Sequence, residues 1–105
     1  MFSTEQFKAM KKDAVLINTC RGSVVDEPAL INALRNQEIW GAGLDVTEVE
    51  PISPSNPLLT MPNVVITPHQ ATRVIQSEWN ADINAVENAE RIALNLEPYW
   101  VVDPV

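Results

Sequence analysis

The sequence predicts an α/β protein: a three-stranded parallel sheet interleaved with helices, followed by a long C-terminal helix. Three observations carry that expectation. Short, mostly apolar runs recur at residues 14–19, 39–46 and 63–69. A stretch with helical character precedes the first run, another separates the first two, and a long one follows the third, while a proline-rich loop joins the second to the third. Strands alternating with helices imply right-handed crossovers, and hence parallel pairing.

The elements follow in chain order. Ser3 and Gln6 fit a capping box that opens a helix running to about residue 11. The run AVLINT, residues 14–19, suits a strand buried on both faces of a parallel sheet. Asp26 is a good N-cap and Pro28 is tolerated in a first helical turn, so a second helix begins there. Ala29, Leu30, Ala33 and Leu34 form its apolar stripe. IWGAGLDV, residues 39–46, is the next strand, and its glycines predict close approach by a neighbouring backbone. NVVITPH, residues 63–69, is the third, stopped by Pro68. The link over residues 47–62 holds four of the eight prolines and no helical stripe, which predicts an ordered loop presenting Glu48 or Glu50. A helix is expected over residues 72–96, with Ile75, Trp79, Ile83, Val86, Ala89, Ala93 and Leu96 on one face. The closing tail, EPYWVVDPV, is apolar and expected to pack on another body of protein.

Bulk properties narrow the function. The chain has 105 residues, 46% of them hydrophobic, which is enough for a packed core. No apolar run reaches the ~20 residues that cross a bilayer, and the N-terminus lacks a signal-peptide pattern; the expectation is a soluble, cytoplasmic protein with no membrane partner. The net charge is −7, with the acidic excess confined to residues 22–105. Such a surface repels phosphate backbones and argues against nucleic acid. One His and one Cys cannot build a zinc site of the usual kind, so no metal is expected. Cys20 is expected as a small buried residue rather than a nucleophile.

In parallel sheets, ligands bind at the carboxyl ends of the strands. Here all three candidate strands end in polar clusters: Thr19, Cys20 and Arg21; Asp45; and His69. Arginine grips a carboxylate through a planar, bidentate fork. Histidine exchanges a proton near neutral pH, and a neighbouring carboxylate fixes its tautomer. Arg21, a loop glutamate and His69 together match what a 2-oxo acid needs when a hydride reaches its carbonyl carbon. Each residue alone has a commoner role: a surface ion pair for Arg21, a solvated loop charge for Glu48 or Glu50, a turn cap for Asp45, a turn residue for His69. Their convergence on one sheet edge favours the site.

Four stretches, LINTCRGSVVDEPAL, GAGLDVTEVEP, NPLLTMPNVVITPH and the closing helix with VVDP, occur in an order that resembles the C-terminal part of the D-isomer-specific 2-hydroxyacid dehydrogenases. That family includes phosphoglycerate dehydrogenase and the hydroxypyruvate and glyoxylate reductases. The resemblance implies the C-terminal half of a Rossmann-like sheet, with residues 1–71 in a nucleotide-binding domain and 72–105 returning to a substrate domain. It implies NAD or NADP as cofactor, a small 2-oxo or 2-hydroxy acid as substrate, and a homodimer in the full-length protein. Arg21 resembles the substrate-binding arginine, Glu50 the carboxylate paired with the catalytic histidine, and His69 the acid/base. Asp45 resembles a residue that holds the nicotinamide carboxamide. Thr19, Cys20 and Arg21, with His69, Gln70 and Ala71, correspond to segments lining the nicotinamide half of the cofactor. Thr47 stands where the family often has an aromatic residue.

The chain has three glycines and no G-x-G-x-x-G, so the loop that cradles a pyrophosphate is absent from it. The expectation is a fragment that is inactive alone and works as part of a dehydrogenase. The alternatives are a non-catalytic remnant, an interaction or oligomerisation module of the same fold, or a corepressor-type binding protein.

Overall fold

In the computed structural model, which describes residues 1–102, the chain divides into two compact units, Met1–Ala71 and Thr72–Val105. The first unit opens with helix α1, Thr4–Ala9. The Ser3 N–H donates to Gln6 Oε1 at 2.9 Å, while the Ser3 hydroxyl is directed to Asp26 Oδ2 at 2.8 Å. The expected extension to residue 11 does not form: the chain turns at residues 11–14, with the Ala14 N–H donating to the Lys11 carbonyl. Strand β1, Val15–Asn18, follows, then a 3₁₀ turn at Gly22–Val24 and helix α2, Glu27–Arg35. Asp26 caps α2 by accepting from the Ala29 N–H at 3.1 Å, and Pro28 lies in the first turn.

Strands β2, Gly41–Leu44, and β3, Val64–Ile66, complete a three-stranded parallel sheet in the order β1-β2-β3. The register pairs Asn18 with Leu44 and Leu44 with Ile66, so the three strands end level with one another. The closeness of β2 to β3 depends on Gly41, where a Cβ would lie 2.6 Å from the Asn63 carbonyl oxygen. Phe7, Leu30, Ala33, Leu34, Ile39, Ala42, Leu44 and Leu58 form the buried core between the helices and one face of the sheet. Leu16, Val64 and Ile66 pack against it from β1 and β3.

The opposite face corrects the expectation of burial on both sides. Ile17 and Val65 are each 66% exposed and Val15 is also exposed. Both helices of this unit belong to the core side, so the alternation of side chains along β1 and β3 turns every second residue outward. The link between β2 and β3 is ordered as expected, but it contains a 3₁₀ turn at Pro57–Thr60. Asn56 caps that turn, and Leu58 delivers a side chain to the core.

The second unit is helix α3, Ile75–Ala93, and the tail after it. Residues 72–74 form a turn instead of helix, with the Val74 N–H donating to the Thr72 carbonyl. Asn95, at φ 55°, ends the helix before residue 96. The tail folds back: the Tyr99 N–H donates to Asn88 Oδ1 at 2.7 Å, and the Arg91 guanidinium lies 4.1 Å from the centre of the Tyr99 ring. No residue of α3 is buried, and Ile75, Trp79, Ile83 and Val86 are exposed. The last part of the tail, including Asp103 and Pro104 of the VVDP motif, lies outside the described residues. Among those described, no helix is long and apolar enough to cross a membrane.

Candidate active site

The site forms where the three strands end, and its frame is made by short polar side chains that sequence reasoning passed over. At the end of β1, Asn18 is buried and folds over the turn that follows. Its Nδ2 donates to the Arg21 carbonyl at 2.9 Å, and its Oδ1 accepts from the Cys20 N–H at 3.1 Å. This is the side-chain-to-backbone closure that Asn favours in turns. Because Asn18 takes the interior position, Cys20 is exposed, which corrects the expectation of a buried cysteine. Thr19 is exposed as well. Arg21 is exposed, and its Nη1 donates to the Cys20 carbonyl at 2.7 Å.

At the end of β2, Asp45 is 5% exposed and its carboxylate organises the chain after β3. Oδ1 accepts from the Thr67 hydroxyl at 2.5 Å and the Gln70 N–H at 2.8 Å; Oδ2 accepts from the Ala71 N–H at 2.8 Å. The Asp45 carbonyl accepts from the His69 N–H at 2.9 Å. These bonds hold His69 in the left-handed region, at φ 52°, where a non-glycine residue needs support. The Thr67 hydroxyl, then the Gln70 amide, stabilise the charged form and lower the Asp45 pKa against the opposing effect of burial.

Beyond Asp45, Thr47 is buried. Its hydroxyl donates to the Val49 carbonyl at 2.9 Å and its N–H to Glu50 Oε1 at 3.1 Å. The other Glu50 oxygen, Oε2, lies 2.8 Å from His69 Nδ1. Both side chains are more than a third exposed. The contact with His69, then the Thr47 N–H, lowers the Glu50 pKa; the nearby positive charge of Arg21 adds a smaller effect in the same direction. Glu48 takes no part in this pair: its N–H donates to Glu27 and its side chain is exposed.

Two cavities meet at Glu50. The larger, about 540 Å³, runs past Asp45, Glu50 and His69 along an apolar wall of Ile52, Leu59 and Ile66. The smaller, about 210 Å³, is bordered by Arg21, Gly22 and Glu50. The structure therefore joins Glu50 to His69 directly and brings Arg21 to the same carboxylate without an ion pair. Asn18, Thr47 and Thr67 were legible only weakly, as small polar residues at the ends of apolar runs.

Residues 1–71 match the family model described as the NAD binding domain of D-isomer specific 2-hydroxyacid dehydrogenases. The chain belongs to the D-isomer specific 2-hydroxyacid dehydrogenase family. Among this family's curated members, the glyoxylate/hydroxypyruvate reductase B of Cronobacter sakazakii is 52% identical over 88 residues. That match takes in 84% of this chain and 27% of the relative. The chain thus spans about a quarter of the length of the curated dehydrogenases it matches. Among solved structures, the D-isomer specific 2-hydroxyacid dehydrogenase from Xanthobacter autotrophicus, in complex with NADPH and MES, superimposes with a TM-score of 0.85. The two are 44% identical, over 96% of this chain and 41% of that one. A glyoxylate/hydroxypyruvate reductase from Sinorhizobium meliloti, in complex with NADP and malonate, gives a TM-score of 0.72 at 42% identity over 85% of this chain and 28% of that one.

Proposed function

We propose that this chain supplies the nicotinamide side of the nucleotide domain, and the proton-transfer pair, of an NAD(P)-dependent reductase of small 2-oxo acids. The observation that carries this reading is the 2.8 Å contact between Glu50 Oε2 and His69 Nδ1 at the carboxyl edge of the sheet, beside a cavity and within the field of Arg21.

The residues fit one half of the cofactor. Asp45 Oδ2 accepts a single hydrogen bond, so it retains an acceptor position for an amide N–H such as that of a carboxamide. Thr19, Cys20 and Arg21, with His69, Gln70 and Ala71, line the nicotinamide side in this reading. The N–H groups of Gln70 and Ala71 are engaged by Asp45, so these two offer carbonyls and side chains. The G-x-G-x-x-G loop that would cradle the diphosphate half does not occur in this sequence.

When bound, the nicotinamide supplies the hydride. This chain supplies the rest of the chemistry around the carbonyl. Glu50 accepts from Nδ1–H and stabilises the imidazolium, which leaves Nε2–H to donate its proton to the substrate oxygen. Arg21 holds the substrate carboxylate and polarises the carbonyl. Residues 72–105 carry the chain to a substrate domain, the working protein is a homodimer in the cytoplasm, and the exposed apolar stripe of α3 is the surface available for these contacts.

A second reading, a non-catalytic interaction module, is favoured by the bare sheet face of Val15, Ile17 and Val65. One graft separates them. The matching segment of the Cronobacter sakazakii reductase is replaced by this chain, and NADPH-dependent reduction of glyoxylate and hydroxypyruvate is followed. Turnover of either acid is expected. A folded graft that binds NADPH but reduces neither acid removes the enzymatic reading.

A further inference from the structure

Glu27 is the first residue of α2, next to the Asp26 cap that ties the helix to Ser3. Its carboxylate accepts two hydrogen bonds from two distant points of one loop. Oε2 takes the Glu48 N–H at 3.1 Å, and Oε1 takes Asn56 Nδ2 at 2.6 Å. Asn56 in turn accepts from the Leu58 N–H at 3.0 Å, and Leu58 is 1% exposed in the core. Both ends of the 48–56 segment are thus fixed on one partly buried carboxylate at a capped helix terminus. Glu50 lies between the fixed ends, two residues from Glu48.

We propose that Glu27 is a positioning residue for the acid/base pair: through Glu48 and Asn56 it holds the loop so that Glu50 reaches His69 Nδ1. The catalytic part of this inference rests on the role given to His69 above; the positioning part rests on the hydrogen bonds alone. A glutamine at 27 offers one acceptor oxygen where the loop presents two donors, so one end of the loop is released. Glu50 then loses its fixed approach to His69.

His69 is the only histidine, so its ring signals in a nitrogen NMR spectrum of the whole chain need no assignment by mutation. The parent chain is expected to show the neutral ring protonated at Nδ1, because Nδ1 faces Glu50. In Glu27→Gln the Nε2–H form, which free imidazole side chains prefer, is expected to become the main one. The reciprocal variant Glu27→Gln with Asn56→Asp restores every bond. The new amide at position 27 accepts from the Glu48 N–H and donates to the new carboxylate at position 56, whose second oxygen still caps Leu58. This double variant is expected to return the ring to the Nδ1–H form. A folded Glu27→Gln chain with the parent tautomer overturns the proposal. Should Glu27→Gln not fold, the double variant decides: either its failure to fold or an Nε2–H ring overturns the proposal. In the reductase graft, Glu27→Gln is expected to lower kcat by roughly tenfold or more, with KM for the acid changed far less. A tautomer shift with unchanged kcat removes the catalytic role of His69 and leaves the positioning intact. A fall in kcat with the tautomer unchanged does the reverse.

Discussion

Replacing Gly22 by alanine tests how the Arg21 turn and the Glu50 loop are packed together. A Cβ on Gly22 would lie 1.9 Å from the Thr47 carbonyl oxygen, 2.1 Å from its carbon and 2.6 Å from the Glu48 nitrogen. All three are backbone atoms, so no side-chain rotation makes room. To restore even 3.0 Å, the 47–48 peptide must retreat by about 1.1 Å. That peptide is not free to move: its Glu48 N–H is held by Glu27, and the Thr47 N–H of the peptide before it is bonded to Glu50. Overpacking costs roughly 1–3 kcal/mol, and straining the Glu48–Glu27 hydrogen bond adds about 1 kcal/mol. The expected loss is about 2–4 kcal/mol, a large part of the ~5–15 kcal/mol that holds a domain together. Urea unfolding followed by far-ultraviolet circular dichroism reads this loss. With a slope of about 1 kcal/mol per molar for so small a unit, the midpoint should fall by roughly 2 M or more. A midpoint within ~0.3 M of the parent, at unchanged slope, would refute the packing.

Two further outcomes follow from the charges. Asp26, Asp45 and Glu50 all have lowered pKa values, set first by the Ser3 hydroxyl, the Thr67 hydroxyl and the His69 ring respectively. Their stabilisation is complete above the ordinary carboxylate range near pH ~4 and is lost as pH falls through the lowered values. Stability should therefore decline on acidification below about pH 4–5, and Asp45→Asn should flatten that decline; an equally steep acid limb in Asp45→Asn would contradict the bonds drawn to it. In the reductase graft, Arg21→Lys should raise KM for the acid by about tenfold or more, because a point charge replaces the bidentate fork. An unchanged KM would exclude Arg21 from carboxylate binding.

The fold was readable because its signals are local and repeated. Val15–Asn18, Gly41–Leu44 and Val64–Ile66 lie within the three apolar runs, and the Ala29, Leu30, Ala33 and Leu34 stripe is the buried face of α2. The glycine at 41 announced the close approach of the Asn63 backbone. What the pattern could not convey was how much protein covers each surface: an apolar run looks the same whether Ile17 meets a helix or solvent. Arg21, Asp45 and His69 were placed at the strand ends by where the runs stop. The frame that aims them was hidden because most of its members act through backbone groups. The side chains of Asn18, Thr47 and Glu27 bind main-chain N–H groups or carbonyls, Thr67 binds the Asp45 carboxylate, and no spacing rule marks such contacts in a linear sequence. Cys20 was misplaced for the same reason, since the Asn18 side chain decides which residue of the turn faces inward.

The most direct test of the central claim is His69→Ala in the reductase graft, with kcat and the NADPH dissociation constant measured side by side. Removal of the proton donor should cut kcat by on the order of a hundredfold or more while cofactor affinity stays within about threefold. A variant that turns over at the parent rate would contradict the assignment of His69 and Glu50 as the proton-transfer pair.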